Sequence, residues 1–262
     1  MSNRLIVAAI SIGLLSLPLS NAIAATPSAE VIAAFQEVAM NDSHSDFTYL
    51  GKVSNHPVWL GRNMKWNSSP NLLIEGSPYP DDYNVVKNFL KQLSPICATT
   101  PTYVTPTISY ITTVTTVHRR QVTTITQVIA PSTNVIMLNF LPVAAPPGLP
   151  SFPTSFRSDL YFTTISDDAY PQLHLNTTIT NLYTKSMTSS DRARLIKHAI
   201  LQSLGLFNAT TNLSSKAFSQ SAYWGTNWDG SFTDLDKAII GLQCSASIAS
   251  YSNIDSLLTN YK

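Results

Sequence analysis

The sequence predicts an α+β fold in one substantial domain, and three observations carry that prediction. Capped, amphipathic segments at residues 83–93, 188–205 and 233–242 have helix spacing and helix-start residues. Runs rich in Val, Ile, Thr and Tyr at 71–76, 108–114, 122–128 and 134–141 have strand character. The two classes of segment are interspersed, with no internal repeat and no composition break that would mark a second domain.

Taken in order, residues 1–25 read as a secretory signal peptide. Arg4 supplies the positive region, residues 6–17 an apolar stretch too short to span a bilayer, and Asn21-Ala22-Ile23-Ala24-Ala25 a small-residue cleavage site. An uncleaved anchor is the competing reading, opposed by Pro18; no later segment is apolar enough to cross a membrane. Residues 26–57 form an N-terminal helix and linker, with Val31, Ile32, Phe35 and Val38 spaced for one face. The main domain is expected over 58–262.

Within it, 58–60 and 64–66 look like strand material, and 71–76 is a clearer strand. Pro80-Asp81-Asp82 opens a helix with acids in its first turn, and Pro95 stops it. The Thr-rich stretch at 99–130 has the composition of a mucin-like stalk. Its alternating β-branched residues instead predict a hairpin, with His118-Arg119-Arg120 at the tip. Residues 134–141 form a near-continuous apolar strand expected to be covered on both faces. A Pro-rich loop at 142–153 precedes two short strands at 158–163 and 172–179. Thr188-Ser189-Ser190-Asp191 starts a helix that ends at Gly205, and residues 214–228 form an aromatic, Ser-rich loop.

Composition excludes some functions. Charged residues are 12% of the chain, well below the roughly 25% of an average soluble protein, and Ser, Thr and Asn take their place. Lys and Arg number 16 against 15 Asp and Glu, so losing Arg4 with the leader leaves the charges balanced. With no basic block, nucleic-acid binding is not expected. Cys97 and Cys244 are the only cysteines; in an exported chain they favour one disulfide over two buried thiols. The expected location is secreted or periplasmic.

The most informative stretch is Ile196-Lys197-His198-Ala199-Ile200-Leu201-Gln202-Ser203-Leu204-Gly205-Leu206-Phe207-Asn208. It has the outline of H-E-x-x-H-x-x-G-x-x-H, in which two histidines one turn apart bind zinc and the Glu is the general base. Here His198 and Gly205 keep their places, while Ala199, Gln202 and Asn208 replace the base and two ligands. No catalytic residue and no resident metal are therefore expected, although zinc remains an alternative if an outside ligand rebuilds a site around His198. His44, His56, His118 and His174 are scattered candidates for that role.

These residues, with the order of strands and helices, resemble small metzincin-like catalytic domains. A closer resemblance is to the DUF2927 family of exported bacterial proteins of unknown function. It is carried by Lys65-Trp66 before the first strand, the helix at 82–93, the Asn-led strand at Asn134, Leu195-Ile196 through Asn208, and the segment 232–240. The resemblance implies a zincin-like domain: a mixed, twisted sheet with packed helices and a cleft along its edge strand. His198, Gln202 and Asn208 become candidate cleft residues. His198 and Gln202, at i and i+4, should share a helix face.

Other groups have simpler explanations. Asp234 and Asp236 fit helix capping after Thr233, Asp167-Asp168 fits a turn, and no G-x-S-x-G is present. Tyr223, Trp224 and Trp228 form a candidate recognition loop suited to a sugar or peptide, or else fold over the domain and bury their own rings. N-x-S/T triplets at Asn41, Asn67, Asn176, Asn208 and Asn212 read as by-products of a hydroxyl- and amide-rich surface. The expected function is an exported, non-catalytic protein binding a peptide, glycan or protein partner. Alternatives are a metal-dependent hydrolase rebuilt around His198, and an envelope protein that assembles through its Thr-rich strands.

Overall fold

A computed structural model describes residues 27–40, 62–117, 120–131, 133–144, 158–167, 170–206, 218, 232–250 and 252–259. Helix α1 (Ala29–Ala39) is capped by Ser28, whose Oγ accepts from Val31 N. Strand β1 (Asn71–Gly76) leads into helix α2 (Pro80–Leu93), and a short strand β2 (Thr102–Tyr103) follows. Next come β3 (Thr107–Val117), β4 (Arg120–Ala130), β5 (Val135–Leu141), β6 (Ser158–Asp167) and β7 (Tyr170–Tyr183). Helices α3 (Ser189–Ser203), α4 (Asp234–Cys244) and α5 (Ile254–Thr259) complete the named elements.

The main sheet is five-stranded in the order β2-β1-β5-β7-β6. The β1/β2, β1/β5 and β5/β7 pairs are parallel, and β6 closes one edge antiparallel to β7. The α+β expectation and the mixed sheet therefore stand. Two register shifts interrupt the β6/β7 ladder, at Thr163/Thr164 and Ser166/Asp167. Strands β3 and β4 form a separate antiparallel hairpin.

The core joins the sheet to its helices. Leu72, Ile74, Ile136, Leu138, Phe140 and Leu182 from the sheet pack with Phe35, Phe89, Leu195, Ile196 and Ile240. Helix α1 belongs to this same core, with Ala34, Phe35, Val38 and Ala39 buried. The Cys97–Cys244 disulfide is formed, with a Cα–Cα distance of 5.0 Å, and ties the turn after α2 to the end of α4. Among the described residues, no helix is long and apolar enough to cross a membrane.

The segment 64–66, expected as strand, lies in no strand. Its groups are used by long-range partners instead. Lys65 N donates to Ser250 Oγ at 3.3 Å, Lys65 O accepts from Leu175 N at 2.9 Å, and the Trp66 indole donates to Ser203 O at 2.7 Å. Alternation of apolar and polar residues mimicked a strand there. The expected strands at 158–163 and 172–179 are longer than the sequence indicated: antiparallel pairing carries both on to Asp167↔Tyr170, and parallel pairing with β5 takes β7 on to Tyr183. The expected strand at 58–60 lies outside the described residues.

Candidate functional site

Helix α3 begins with a hydroxyl cap, Thr188 Oγ1 accepting from Asp191 N at 3.1 Å. Its first turn is locked to α2 by a buried ion pair, Arg192 Nε to Asp82 Oδ1 at 3.1 Å. Asp82 Oδ2 also accepts from Tyr79 N at 2.9 Å, and the Arg192 guanidinium lies 4.0 Å from the centre of the Tyr79 ring. The sequence explained Asp82 by the helix dipole alone. Its partner Arg192 lies 110 residues away, so no local pattern announced the pair.

From Leu195 to Leu206 every residue is buried. An amphipathic helix would leave a polar stripe in water; this stretch has none, which is the behaviour of a core helix. Lys197, His198, Gln202 and Ser203 are thus buried polar residues, and each must be held by partners. His198, 4% exposed, is hydrogen-bonded to the Gln202 side chain, itself 6% exposed. The expected sharing of a face by these two residues is met. Desolvation pushes the His198 pKa down to about 3, against an opposing pull from Gln202, so the imidazole is neutral across the physiological range. Lys197, 5.6 Å from the Phe89 ring centre, has its pKa lowered to about 8 by the same cause.

The helix ends in a Schellman arrangement. Gly205 N donates to Gln202 O at 2.9 Å and Leu206 N to Leu201 O at 3.2 Å, with Gly205 at φ +99°. A Cβ on Gly205 would lie 2.0 Å from Met64 O and 2.3 Å from Gln243 Nε2. The glycine is required here by close backbone approach, whatever its place in a metal motif. Gln243 Nε2 bridges Met64 O at 2.6 Å and Leu204 O at 2.8 Å, joining α4 to the end of α3. Lys65 Nζ reaches the carbonyls of Ser245 and Ile248, the latter at 2.6 Å, and burial lowers its pKa to about 8. Ser203 Oγ meets Thr180 Oγ1 of β7 at 3.2 Å. The anchors Gln243 and Thr180 carried no recognisable sequence signal.

The other candidates separate cleanly. Asp236 Oδ1 accepts from Phe218 N at 2.6 Å and Oδ2 from Thr233 N at 2.9 Å, while Thr233 Oγ1 caps Asp236 N at 3.1 Å. Burial raises the Asp236 pKa and those backbone donors oppose the rise. Asp234 pairs with Lys237 at 2.9 Å on the exposed side of the same turn. Both acids are therefore helix-start residues. His174 is buried in β7. Asn208, Tyr223, Trp224, Trp228, Asp168, His44, His56 and His118 lie outside the described residues.

A zinc ion of the hydrolase type does not fit the residues of α3. The face holds one imidazole bonded to a neutral amide, and amides are weak ligands for Zn²⁺. Among the described residues no three His, Cys, Asp or Glu side chains converge as a ligand group. An open groove of about 380 Å³ lies elsewhere, along α2 and the segment entering β2, with Lys87, Leu90, Ser94 and Tyr103 in its wall.

Compared with known proteins, the chain matches no family model and no curated sequence.

Proposed function

We propose that this chain is an exported, non-catalytic protein on a degenerate zincin-like scaffold, akin to the DUF2927 family, that binds a peptide, glycan or protein partner. The observation that carries this reading is the burial of the motif helix. A zinc hydrolase presents its ligands and general base to an accessible site. Here the one retained histidine is closed off, neutral and bonded to Gln202. Ala199 occupies the place of the base, and losing general acid–base catalysis alone removes roughly 10²–10⁴-fold in rate.

The scaffold part of the proposal is supported by the mixed sheet, by the antiparallel edge strand β6, and by α3 following directly on β7 with a left-handed Gly205 at its end. The binding part rests on the segment containing Tyr223, Trp224 and Trp228, where two indoles and a phenol sit among Gly, Asn and Asp. Such rings suit stacking on a sugar or a peptide.

Metal content tests the reading. Protein purified without chelators should hold far less than about one equivalent of zinc, as should a His198→Ala variant that remains folded. Stoichiometric zinc that disappears in the variant would replace this proposal with the rebuilt-hydrolase reading.

A further inference from the structure

The open groove between α2 and the segment entering β2 has the makings of a binding site. One wall is α2, where Lys87, Leu90 and Ser94 follow at spacings of three and four and so share a face. The other wall carries Pro101, Thr102 and Tyr103. Leu90 and Pro101 are buried, while Lys87, Ser94 and Thr102 are exposed and Tyr103 is half-buried. The groove therefore has an apolar floor and a polar rim. Its volume, about 380 Å³, lies in the range of small-ligand sites.

The walls are fixed in place by the fold. Cys97, just before the second wall, is tied to α4 by its disulfide, and its carbonyl accepts from Thr100 Oγ1 at 2.6 Å. Farther on, Thr102 N donates to Pro70 O at 2.9 Å and Val104 N to Leu72 O at 3.0 Å. Tyr103 meets Tyr83 of α2 edge-on, with ring centres 6.4 Å apart, and Lys87 Nζ lies 5.5 Å from the Tyr103 ring centre. Burial and the Tyr83 phenol raise the Tyr103 pKa, so its hydroxyl stays protonated and can donate. No residue of the wall is acidic. Nor has Lys87 an acid three or four residues away on α2, where Tyr83, Asn84, Leu90 and Lys91 stand. Residues 92–156, which supply the second wall, contain no Asp or Glu.

From these groups we infer that the groove binds a sugar bearing a carboxylate, with Lys87 holding the carboxylate and Ser94, Thr102 and Tyr103 meeting the sugar hydroxyls. Charge selects an anion, because the wall offers an ammonium and no carboxylate. Phosphate is the poorer fit. It is held by helix N-termini or nests of N–H groups, whereas the groove runs along the C-terminal half of α2, where the helix presents carbonyls. A peptide added as a strand would find too short an edge. Thr102 and Val104 already bond toward β1, and backbone direction alternates along a strand, so Tyr103 alone turns its N–H and C=O outward. A pyranose has a flat apolar face and hydroxyl edges, which match the Leu90–Pro101 floor, the Tyr103 ring and the hydroxyl rim. This site goes beyond the reading above: it uses none of Tyr223, Trp224 and Trp228 and does not depend on the state of His198.

Isothermal titration calorimetry on the disulfide-intact protein, with tri-galacturonate and sialyllactose as probes, is the test. At least one of them should bind at about one equivalent with a Kd below about 5 mM. It should bind at least about tenfold more tightly than its neutral counterpart, the methyl ester or lactose. Lys87→Gln and Tyr103→Leu should each weaken that binding at least about fivefold. Lys185→Gln, which removes an exposed lysine from the turn after β7, should leave it unchanged. Near-ultraviolet circular dichroism confirms that every variant keeps the native fold. No saturable binding of either acidic sugar, equal binding of the neutral sugars, or binding indifferent to both groove variants would overturn the inference. So would penta-glutamate bound as tightly as the sugar and weakened by the same two variants, which would assign the groove to an acidic peptide instead.

Discussion

The C-terminal half of α3 and the β3–β4 hairpin treat polar residues in opposite ways. In α3, Lys197, His198, Gln202 and Ser203 are drawn into the interior and held there. In the hairpin, Thr112, Thr113, Val114, Thr123 and Thr124 are exposed, on a ribbon that pairs with no other described strand. Composition is a poor guide to which happens. Charged and amide-bearing residues in a helix read as surface, and β-branched residues in a strand read as core. What decides each case is the surroundings: α3 is enclosed by α2 and the sheet, whereas the hairpin leaves the sheet entirely.

If the packed region is one cooperative unit and the hairpin an appendage, substitutions should split sharply in effect. The largest loss is expected from removing the disulfide. Cys97 and Cys244 are 147 residues apart, and on the chain-entropy model a loop of that size contributes about 5 kcal/mol. Denaturant unfolding of the Cys97→Ala/Cys244→Ala double variant gives the value, and a midpoint unchanged from wild type would refute the expectation.

Next comes Asp82→Ala, which leaves Arg192 buried without its counter-charge and should cost roughly 3–5 kcal/mol. A loss under about 1 kcal/mol would mean that water reaches the guanidinium freely. Gly205→Ala follows, at roughly 2–4 kcal/mol, from the strained φ and the collision with Met64 O. Thermal unfolding checks it; an easily accommodated alanine would show that α3 and Met64 are not held in close backbone contact.

The pH dependence is smaller and has a definite sign. His198 has a folded pKa of about 3 against an ordinary value of 6.5, so the unfolded chain binds its proton more readily. The stability from keeping this ring neutral is fully present above about pH 6.5. It falls by about 1.4 kcal/mol per pH unit as pH drops toward about 3, or about 2 kcal/mol by pH 5. In His198→Gln this component should vanish, and identical pH profiles for variant and wild type would contradict the burial of the ring. At the far end of the scale, Val114→Ala in the hairpin should alter domain stability by no more than about 0.5 kcal/mol. A large loss there would dissolve the contrast between the two regions.

Much of this architecture was readable locally. The Thr188 and Thr233 caps, the stop before Pro95 and the left-handed Gly205 each depend on a few neighbouring residues. The hairpin was readable because its partners are adjacent in sequence. Partners far apart in sequence were not readable. Asp82 and Arg192, Trp66 and Ser203, and Gln243 with Met64 meet only after the whole sheet has formed. Strand β2, two residues long, has no periodicity to detect. His198 shows the same limit: its spacing from Gly205 drew attention to a metal motif, and only the enclosure of α3 reveals a core histidine.

The most direct test is a histidine titration followed by nuclear magnetic resonance, with His198→Gln used to assign the ring signals. The His198 resonances should hold their neutral-ring positions from pH 8 down to about pH 5 and should not move when about one equivalent of zinc is added. A ring that titrates near its ordinary pKa and shifts with stoichiometric zinc would contradict it, by showing that the motif helix opens onto a working metal site.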